Sequence, residues 1–435
     1  MKDTIWMQHT QLPEFPNLHG NRKTDILIIG GGLTGILCAW QLQQAGADYL
    51  LIEADRICGS TSERTTAKLT SQHGFIYDKI FRRYGMDAAK GYYEANQAAL
   101  RTYRHICAGL DCDFETKDNY IYTVDGLNKL DRELKALQLL GIPAHFVQDL
   151  PLPLQTEGAI CFPEQAQMHP LKFVAAISGK LRILEHTPAR SFTGNTVLTD
   201  YGRITAKKII IATHFPLINK HGFYFAKQYQ NRSYVISLAN GPQLNGMYRD
   251  EASEGFSFRN FGASLILGGN AHRTGKKTTG WEPLEEAAAR WYPTARLQYR
   301  WAAQDCMTLD GIPYVGKYSR RSHELYVATG FNKWGMTSAM VASMILCDVL
   351  RGRENPYAEI FSPQRSSFHP QLMTNLMEST INLLKPTTPR CPHLGCALKW
   401  NPHEHSWDCP CHGSRFDEDG KLLENPAKGD LKSKQ

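Results

Sequence analysis

Between Arg390 and Phe416 the chain reads RCPHLGCALKWNPHEHSWDCPCHGSRF, four cysteines and four histidines in 27 residues. Cys391 and His393 stand one residue apart, and after fifteen residues Cys409 and His412 stand two apart. Two thiolates and two imidazoles make a full tetrahedral set for zinc. They are also the ligand set of a [2Fe–2S] centre in which one iron takes both cysteines and the other both histidines. Cys396 and Cys411 add one further thiol to each half of the stretch, while His403 and His405, between the halves, read as solvated side chains.

A second constellation lies at the other end of the chain. Asp25 to Ile29 (DILII) is a short apolar run of the kind that forms a buried parallel strand. Gly30-x-Gly32-x-x-Gly35 follows it, then the helical segment ILCAWQLQQAGA, then a second apolar run, DYLLIEA, containing Glu53. Such glycines serve a tight turn, a close approach of backbone to a pyrophosphate, and close packing of helix on strand. The helix N-terminus offers free N–H groups and positive dipole to phosphates, and Glu53 can accept hydrogen bonds from ribose hydroxyls. Strand, helix, strand and acid together indicate a dinucleotide site.

The elements that must carry these sites are legible in outline. A helix is expected from Met86 to Ala108, a strand in KDNYIYTV, and an amphipathic helix in GLNKLDRELKALQLLG ended by Gly141. MHPLKFVAAIS (168–178) reads as a Pro-started helix and KKIIIATH (207–214) as another buried strand. Residues 215 to 300 alternate in strand fashion (YVISLA, FSFRNF, SLILGG), with His272 expected on a loop in a structural or solvent-facing role, a substrate contact being the alternative.

With 435 residues, 42% of them hydrophobic, the chain can bury a sizeable core in two or three domains. Lys+Arg 49 against Asp+Glu 42 is a mild, dispersed excess, which argues against nucleic acid as a partner. The start, MKDTIWMQHTQLPEF, lacks the apolar core of a signal peptide, and MTSAMVASMILCDVL is too short to span a bilayer. A reducing cytoplasm is therefore expected, where clustered cysteines bind metals more often than they form disulfide frameworks. Cys38, Cys58, Cys107, Cys112, Cys161, Cys306 and Cys347 are scattered and read as small buried hydrophobes.

The loop after Glu53, ADRICGSTSERTTAKLTSQHG, resembles that of the D-amino-acid oxidase superfamily of flavoproteins, which includes glycine and sarcosine oxidases. TLDGIPYVG (308–316) resembles its Thr-x-Asp-Gly-x-Pro turn, and YVATGFNKWGMTSAMVAS (326–343) its closing signature. The resemblance implies FAD as cofactor, with Thr65, Thr66 and Lys68 beside it, and with Gly330, Gly335, Met336 and Thr337 placing a helix N-terminus at the flavin pyrimidine. That dipole would stabilise the negative charge of reduced flavin. CPHLGC and CPCHGS are similar to the paired loops of the Rieske family, which implies Cys391, His393, Cys409 and His412 as cluster ligands and a Cys396–Cys411 disulfide, as in the respiratory type. The same resemblance gives Ser414 a hydrogen bond to a bridging sulfide, and Phe416 stands where that type has tyrosine.

Two departures qualify the resemblance. Asp305 occupies the place where glycine oxidase-like members pair the substrate carboxylate with arginine, and Lys333 keeps the second, basic place. An acid there favours amines, amino sugars or cationic N-methyl compounds. Cys306 invites a covalent flavin link, but its offset from the Thr-x-Asp turn does not match that of sarcosine oxidases. The cluster loops also lack the strands that usually precede them, so either neighbouring flavoprotein surface completes a shortened domain or the cluster is poorly held.

The expected fold is α/β + β: a Rossmann-type FAD-binding domain with an inserted mixed-sheet substrate domain, followed by a small, shortened Rieske domain. The FAD-dependent part spans residues 1–362, with FAD-binding parts near 20–85, 150–225 and 300–362 and substrate parts near 86–149 and 226–299. A helical linker, 363–386, leads to the cluster domain, 387–435. The expected activity is oxidation of a C–N bond of an amine or amino-acid-like substrate, with Asp305 and Lys333 at the reacting end and electrons passed to the [2Fe–2S] centre and an unidentified one-electron acceptor. The alternatives are an oxidase using O₂ beside a structural or regulatory cluster, and a redox sensor without turnover.

Overall fold

The computed structural model describes residues 4–8, 10–218, 221–366, 368–386 and 389–431, so residues 387–388 and 432–435 of the expected cluster domain lie outside it. Its first layer is an eight-stranded sheet centred on Arg22–Ile29, which pairs in parallel with Tyr49–Ile52 on one side and Gly202–Ile211 on the other. The apolar run legible in the sequence is buried to its end, Ile26 to Ile29. Leu325–Thr329 continues the parallel set beyond Gly202–Ile211, and the two helices Leu33–Gln44 and Gly335–Leu350 pack against each other beside the sheet. Both helices are buried nearly all round, as an inner layer must be.

The second layer is a nine-stranded mixed sheet in the order Arg296–Thr308, Gln228–Ala239, Ser264–Arg273, Ser257–Phe261, Met247–Asp250, Glu115–Thr123, Gly158–Gln167 and Lys68–Leu69, with His145–Val147 on an edge. Gly158–Gln167 and most of Arg296–Thr308 fall in spans expected of the nucleotide layer, yet both pair within this sheet. Their alternating apolar residues carry no mark of which sheet they join; only the long-range ladders with Glu115–Thr123 and Gln228–Ala239 decide it. His272 lies in the strand Ser264–Arg273 rather than on a loop, its ring stacked on Tyr234.

The cysteine-rich end forms a four-stranded antiparallel sheet: Lys399–Asn401, Ser406–Asp408, Arg415–Phe416 and Leu422–Glu424. Its own core holds few side chains, chiefly the four cysteines, Leu398, Phe416 and Ala427. A unit this small buries too little surface to stand alone. It is completed by the nine-stranded sheet, against which it sits with almost no gap. A Cβ on Gly275 would lie 2.7 Å from the backbone N of Pro410, and one on Gly413 would collide with Cγ of Gln230.

At this joint the fully buried guanidinium of Arg232 forks onto Glu404 and reaches Glu424 at 2.9 Å. Arg415, equally buried, binds Asp408 at 2.8 Å, Glu404 at 2.9 Å and Glu424 at 3.2 Å, and Arg64 reaches Glu424 at 3.2 Å. The two arginines hold Glu404 and Glu424 well below the usual carboxylate range despite burial. Gln304 donates to the Gly413 carbonyl at 2.9 Å, and Arg273 donates to the carbonyl of Pro410 at 3.2 Å.

The connecting helix, Pro370–Leu384, is amphipathic in reverse. Asn375 and Asn382 are buried toward the body, with Asn375 bridging Arg273 and the Ala226 carbonyl, while Met373, Met377, Ile381 and Leu384 are exposed. No described helix is long and apolar enough to cross a membrane.

Candidate active site and metal centre

A cavity of about 530 Å³ opens at the C-terminal ends of the parallel strands, the usual place for a ligand in an open α/β sheet. Gly30, Gly32 and Glu53 line one end of it. Gly30 has φ +111°, and Gly35 packs so closely that a Cβ on it would collide with the Gly30 carbonyl oxygen. Gly35 therefore joins helix to strand and does not face the cavity. A Cβ on Gly32 would meet Ser62 Oγ at 3.3 Å and no other described atom within 4 Å, so the Gly32 backbone stays open to a ligand. Glu53 accepts hydrogen bonds from the N–H of Gly31 at 2.5 Å and of Asp55 at 3.1 Å, and burial raises its pKa.

Thr65, Thr66 and Lys68 form a second wall. Their loop is pinned from outside: Trp6 donates to the Thr65 carbonyl at 2.7 Å, Trp301 to the Arg64 carbonyl at 2.9 Å, and Arg259 to the Thr66 carbonyl at 2.7 Å. Lys68 is a buried strand residue rather than a solvated one. Its ammonium donates to the Tyr248 carbonyl, and burial, with Arg249 and Arg259 nearby, pushes its pKa well down. Gly330, Gly335 and Met336 bring the start of the closing helix to the same space. Thr337 sits one step behind, exchanging hydrogen bonds with the backbone of Thr70. An open glycine backbone, a half-buried ribose-type acid and a helix N-terminus on one cavity fit an adenine dinucleotide.

Asp305 and Lys333 meet in this cavity, one from the strand Arg296–Thr308 and one from the turn before the closing helix. Burial raises the Asp305 pKa, opposed by Lys333, His214 and Arg249. The Lys333 ammonium is buried with no hydrogen-bond partner among the described residues, and desolvation, aided by Arg249, pushes it down to about 7. Sequence reasoning misses Arg249, which also lies over the Trp334 ring at 5.5 Å. A lone arginine in the buried strand Met247–Asp250 is its only signal. A second cavity, about 600 Å³, shares Arg249, Ser253, Lys333 and Trp334 with the first. Cys306 is buried and sits near Thr329, and the other scattered cysteines are buried as expected.

At the metal centre the paired loops close on each other. Cys391 and Cys409 are buried and hydrogen-bonded, which lowers the first thiol and raises the second. The rings of His393 and His412 lie 4.9 Å apart, and burial holds both imidazoles neutral, as ligands require. Cys396 and Cys411 form a disulfide. The sulfurs of Cys396, Cys409 and Cys411 also lie within 4.8 Å of one another, but two of them are spent in that bond, so the trio is a ligand beside a clasp. Two buried thiols facing two neutral imidazoles, His412 buried and His393 half-buried, fit a [2Fe–2S] centre. Solvent-facing His405 instead pairs with Glu418 at 2.5 Å.

The two sites share a wall. Both cluster-loop histidine rings lie 6.2 Å from Phe215, which directly follows the cavity residues Ala212 to His214. On the strand Arg296–Thr308, Gln304 holds the Gly413 carbonyl while its neighbour Asp305 lines the cavity.

Residues 25–349 match the family of FAD dependent oxidoreductases called DAO. The chain belongs to that family. Residues 379–435 of this flavoprotein match the Rieske [2Fe-2S] domain, so FAD and a Rieske cluster are its cofactors. It is 35% identical to a Bacillus subtilis (strain 168) protein named as a Rieske 2Fe-2S iron-sulfur protein, YhfW, over 99% of this chain and 97% of that one. It is 22% identical to the gamma-glutamylputrescine oxidoreductase of Escherichia coli (strain K12), over 78% and 86% of the two chains. Its fold is similar to that of glycine oxidase from Geobacillus kaustophilus, with TM-score 0.64 and 18% identity over 79% of this chain and 99% of that one.

Proposed function

We propose that this flavoprotein is an amine-type dehydrogenase that oxidises a C–N bond of an amine or amino-acid-like substrate and passes the two electrons, one at a time, through its own Rieske centre to an external one-electron acceptor. The observation that carries this reading is the shared wall: Phe215, next in the chain to the cavity residues Ala212 to His214, packs on both cluster-loop histidine rings, and one strand sets Asp305 in the cavity and Gln304 on the Gly413 carbonyl. Bound FAD supplies a two-electron acceptor and the [2Fe–2S] centre a one-electron carrier.

The chain's own residues would do the rest. Gly30, Gly32 and Glu53 hold the dinucleotide, with Thr65, Thr66, Lys68, Gly330 and Met336 around it, and Cys391, His393, Cys409 and His412 hold the cluster. Asp305 orients the substrate nitrogen, since a half-buried carboxylate facing the cavity attracts a cation and repels a substrate carboxylate. A C–H beside nitrogen is oxidised readily only when the nitrogen is unprotonated. Lys333, held near 7 and facing the same cavity, is the group that takes the proton at Nζ. Arg249, where the two cavities meet, receives any anionic group the substrate carries. A cytoplasmic setting suits the disulfide too, because its sulfurs are buried away from thiol reductants.

Anaerobic mixing with a panel of amines, amino acids and N-methyl compounds, followed by EPR, tests the reading. The expected result is bleaching of the flavin absorbance together with a rhombic [2Fe–2S] signal. Flavin reduction without a cluster signal, with rapid peroxide formation in air, would give the oxidase reading the lead. No reduction by any member of the panel would favour a sensor.

A further inference from the structure

We propose that the last strand of the cluster domain and the turn after it, residues 422–428, form the outer wall of the FAD site, so that FAD and the cluster-loaded domain hold each other in place. Leu422, Leu423, Glu424, Asn425, Ala427 and Lys428 line the same cavity as Gly30, Gly32 and Glu53. No residue of this segment belongs to the dinucleotide motif or to the cluster ligands; it is brought there by the fold alone.

The segment is fastened at both ends. On the FAD side, Asn425 Nδ2 donates to the carbonyls of Thr213 at 2.5 Å and Phe215 at 3.2 Å, just past the end of the parallel strand Gly202–Ile211. Arg190 donates to the Lys428 carbonyl at 3.3 Å, close to Thr187, whose N–H donates to the Glu53 carbonyl at 2.7 Å. Lys428 is exposed, its ammonium lies over the Phe192 ring at 5.5 Å and it forms no ion pair among the described residues, so it is available to an anionic cofactor. On the cluster side, Ala427 donates its N–H to Ser414 Oγ at 2.9 Å, and the N–H of the cluster ligand Cys409 donates to the Ser414 carbonyl at 2.9 Å. One hydroxyl thus joins a cluster loop to the wall of the cavity.

Two ligands that stabilise one shared segment must strengthen each other's binding by the same factor. Loss of the cluster leaves the loop that carries Ser414 without its inner support, and loss of FAD does the same to the wall. The proposal rests on FAD occupying this cavity, for which Glu53→Ala serves as the independent check.

The test is the FAD dissociation constant of full-length protein, measured by flavin fluorescence after removal and re-addition of FAD, with iron quantified on every sample. Asn425→Ala and Lys428→Gln, each at wild-type iron content, are expected to bind FAD at least tenfold more weakly. Wild-type affinity within twofold in both variants, with Glu53→Ala still weakened, would overturn the proposal. Wild-type affinity in all three would show that the cavity reading itself fails. Hydrogen exchange of the unmodified protein decides the matter if the variants do not fold. Amides of 422–428 should exchange at least tenfold more slowly with FAD bound, and equal rates would count against the wall.

Discussion

At the residue scale, the proposed active site turns on Asp305, which departs from the carboxylate-binding pattern of the amino-acid oxidases, and on Lys333, which keeps its basic place. Asp305→Asn keeps the shape and removes the charge. The lost charge-assisted contact is worth about 1.5–3 kcal/mol, so kcat/KM for an amine substrate should fall about 10- to 100-fold. The flavin spectrum should stay unchanged, which steady-state kinetics and absorbance check together. Lys333 gives a pH dependence whose sign follows from its folded value near 7. Only the neutral amine can take a proton, so kcat/KM should fall about tenfold per pH unit below 7 and level off above it. Lys333→Met should abolish that limb of the profile. Individual residues with a fixed spacing are legible in the sequence: the four cluster ligands, the glycines and Glu53 each sit in a local pattern that chemistry requires. Arg249 is not, because an arginine in a strand announces neither its depth nor what it faces.

At the scale of elements, two devices hold the cluster loops. One is the disulfide, which closes a loop across a sequence separation of 15 residues. In the chain-entropy picture such a loop is worth about 3 kcal/mol. Cys396→Ser with Cys411→Ser should therefore lower the stability of the cluster domain by about that amount, seen as faster loss of iron to a chelator. The other is the helix Pro370–Leu384, whose polar side faces inward. Asn375→Leu would leave an Arg273 N–H and the Ala226 carbonyl without their partner, at a cost of about 1–3 kcal/mol, which calorimetry would report as a lowered Tm. Helices with apolar periodicity, such as Leu127–Leu140 ended by left-handed Gly141, are readable in the sequence. The sheet membership of Gly158–Gln167 and Arg296–Thr308 is not, since period-2 alternation fixes a face but not a neighbour. His272 departs from expectation for a related reason: the glycines around it read as a turn although they lie within a strand and at its end.

At the scale of the molecule, the shortened cluster domain borrows its foundation. Arg232 is the centre of that loan, buried and neutralised by two carboxylates of the cluster domain. Arg232→Met should destabilise the protein by about 3–5 kcal/mol, because Glu404 would remain buried with half of its compensation gone. The acid limit follows from the same carboxylates. Their folded pKa values lie below the unfolded carboxylate value near 4.3, so their stabilisation is complete above that value and is lost as pH falls through the folded ones. Iron release on acidification should begin below about pH 4 in the wild type. The sequence announces two sites at the two ends of the chain, but nothing in it announces that they share a wall, because a contact between residues 230 and 413 leaves no local trace.

The bare glycine faces of the joint carry one more consequence. Gly275 lies against Pro410, and Gly413 against Gln230, at distances where no side chain fits on the glycine. A cluster module taken from another protein would arrive with its own contour and meet a surface cut for this one. Domain swapping by recombination, the ordinary route by which fused proteins exchange parts, is thereby closed to this pair: the two halves can change only in step.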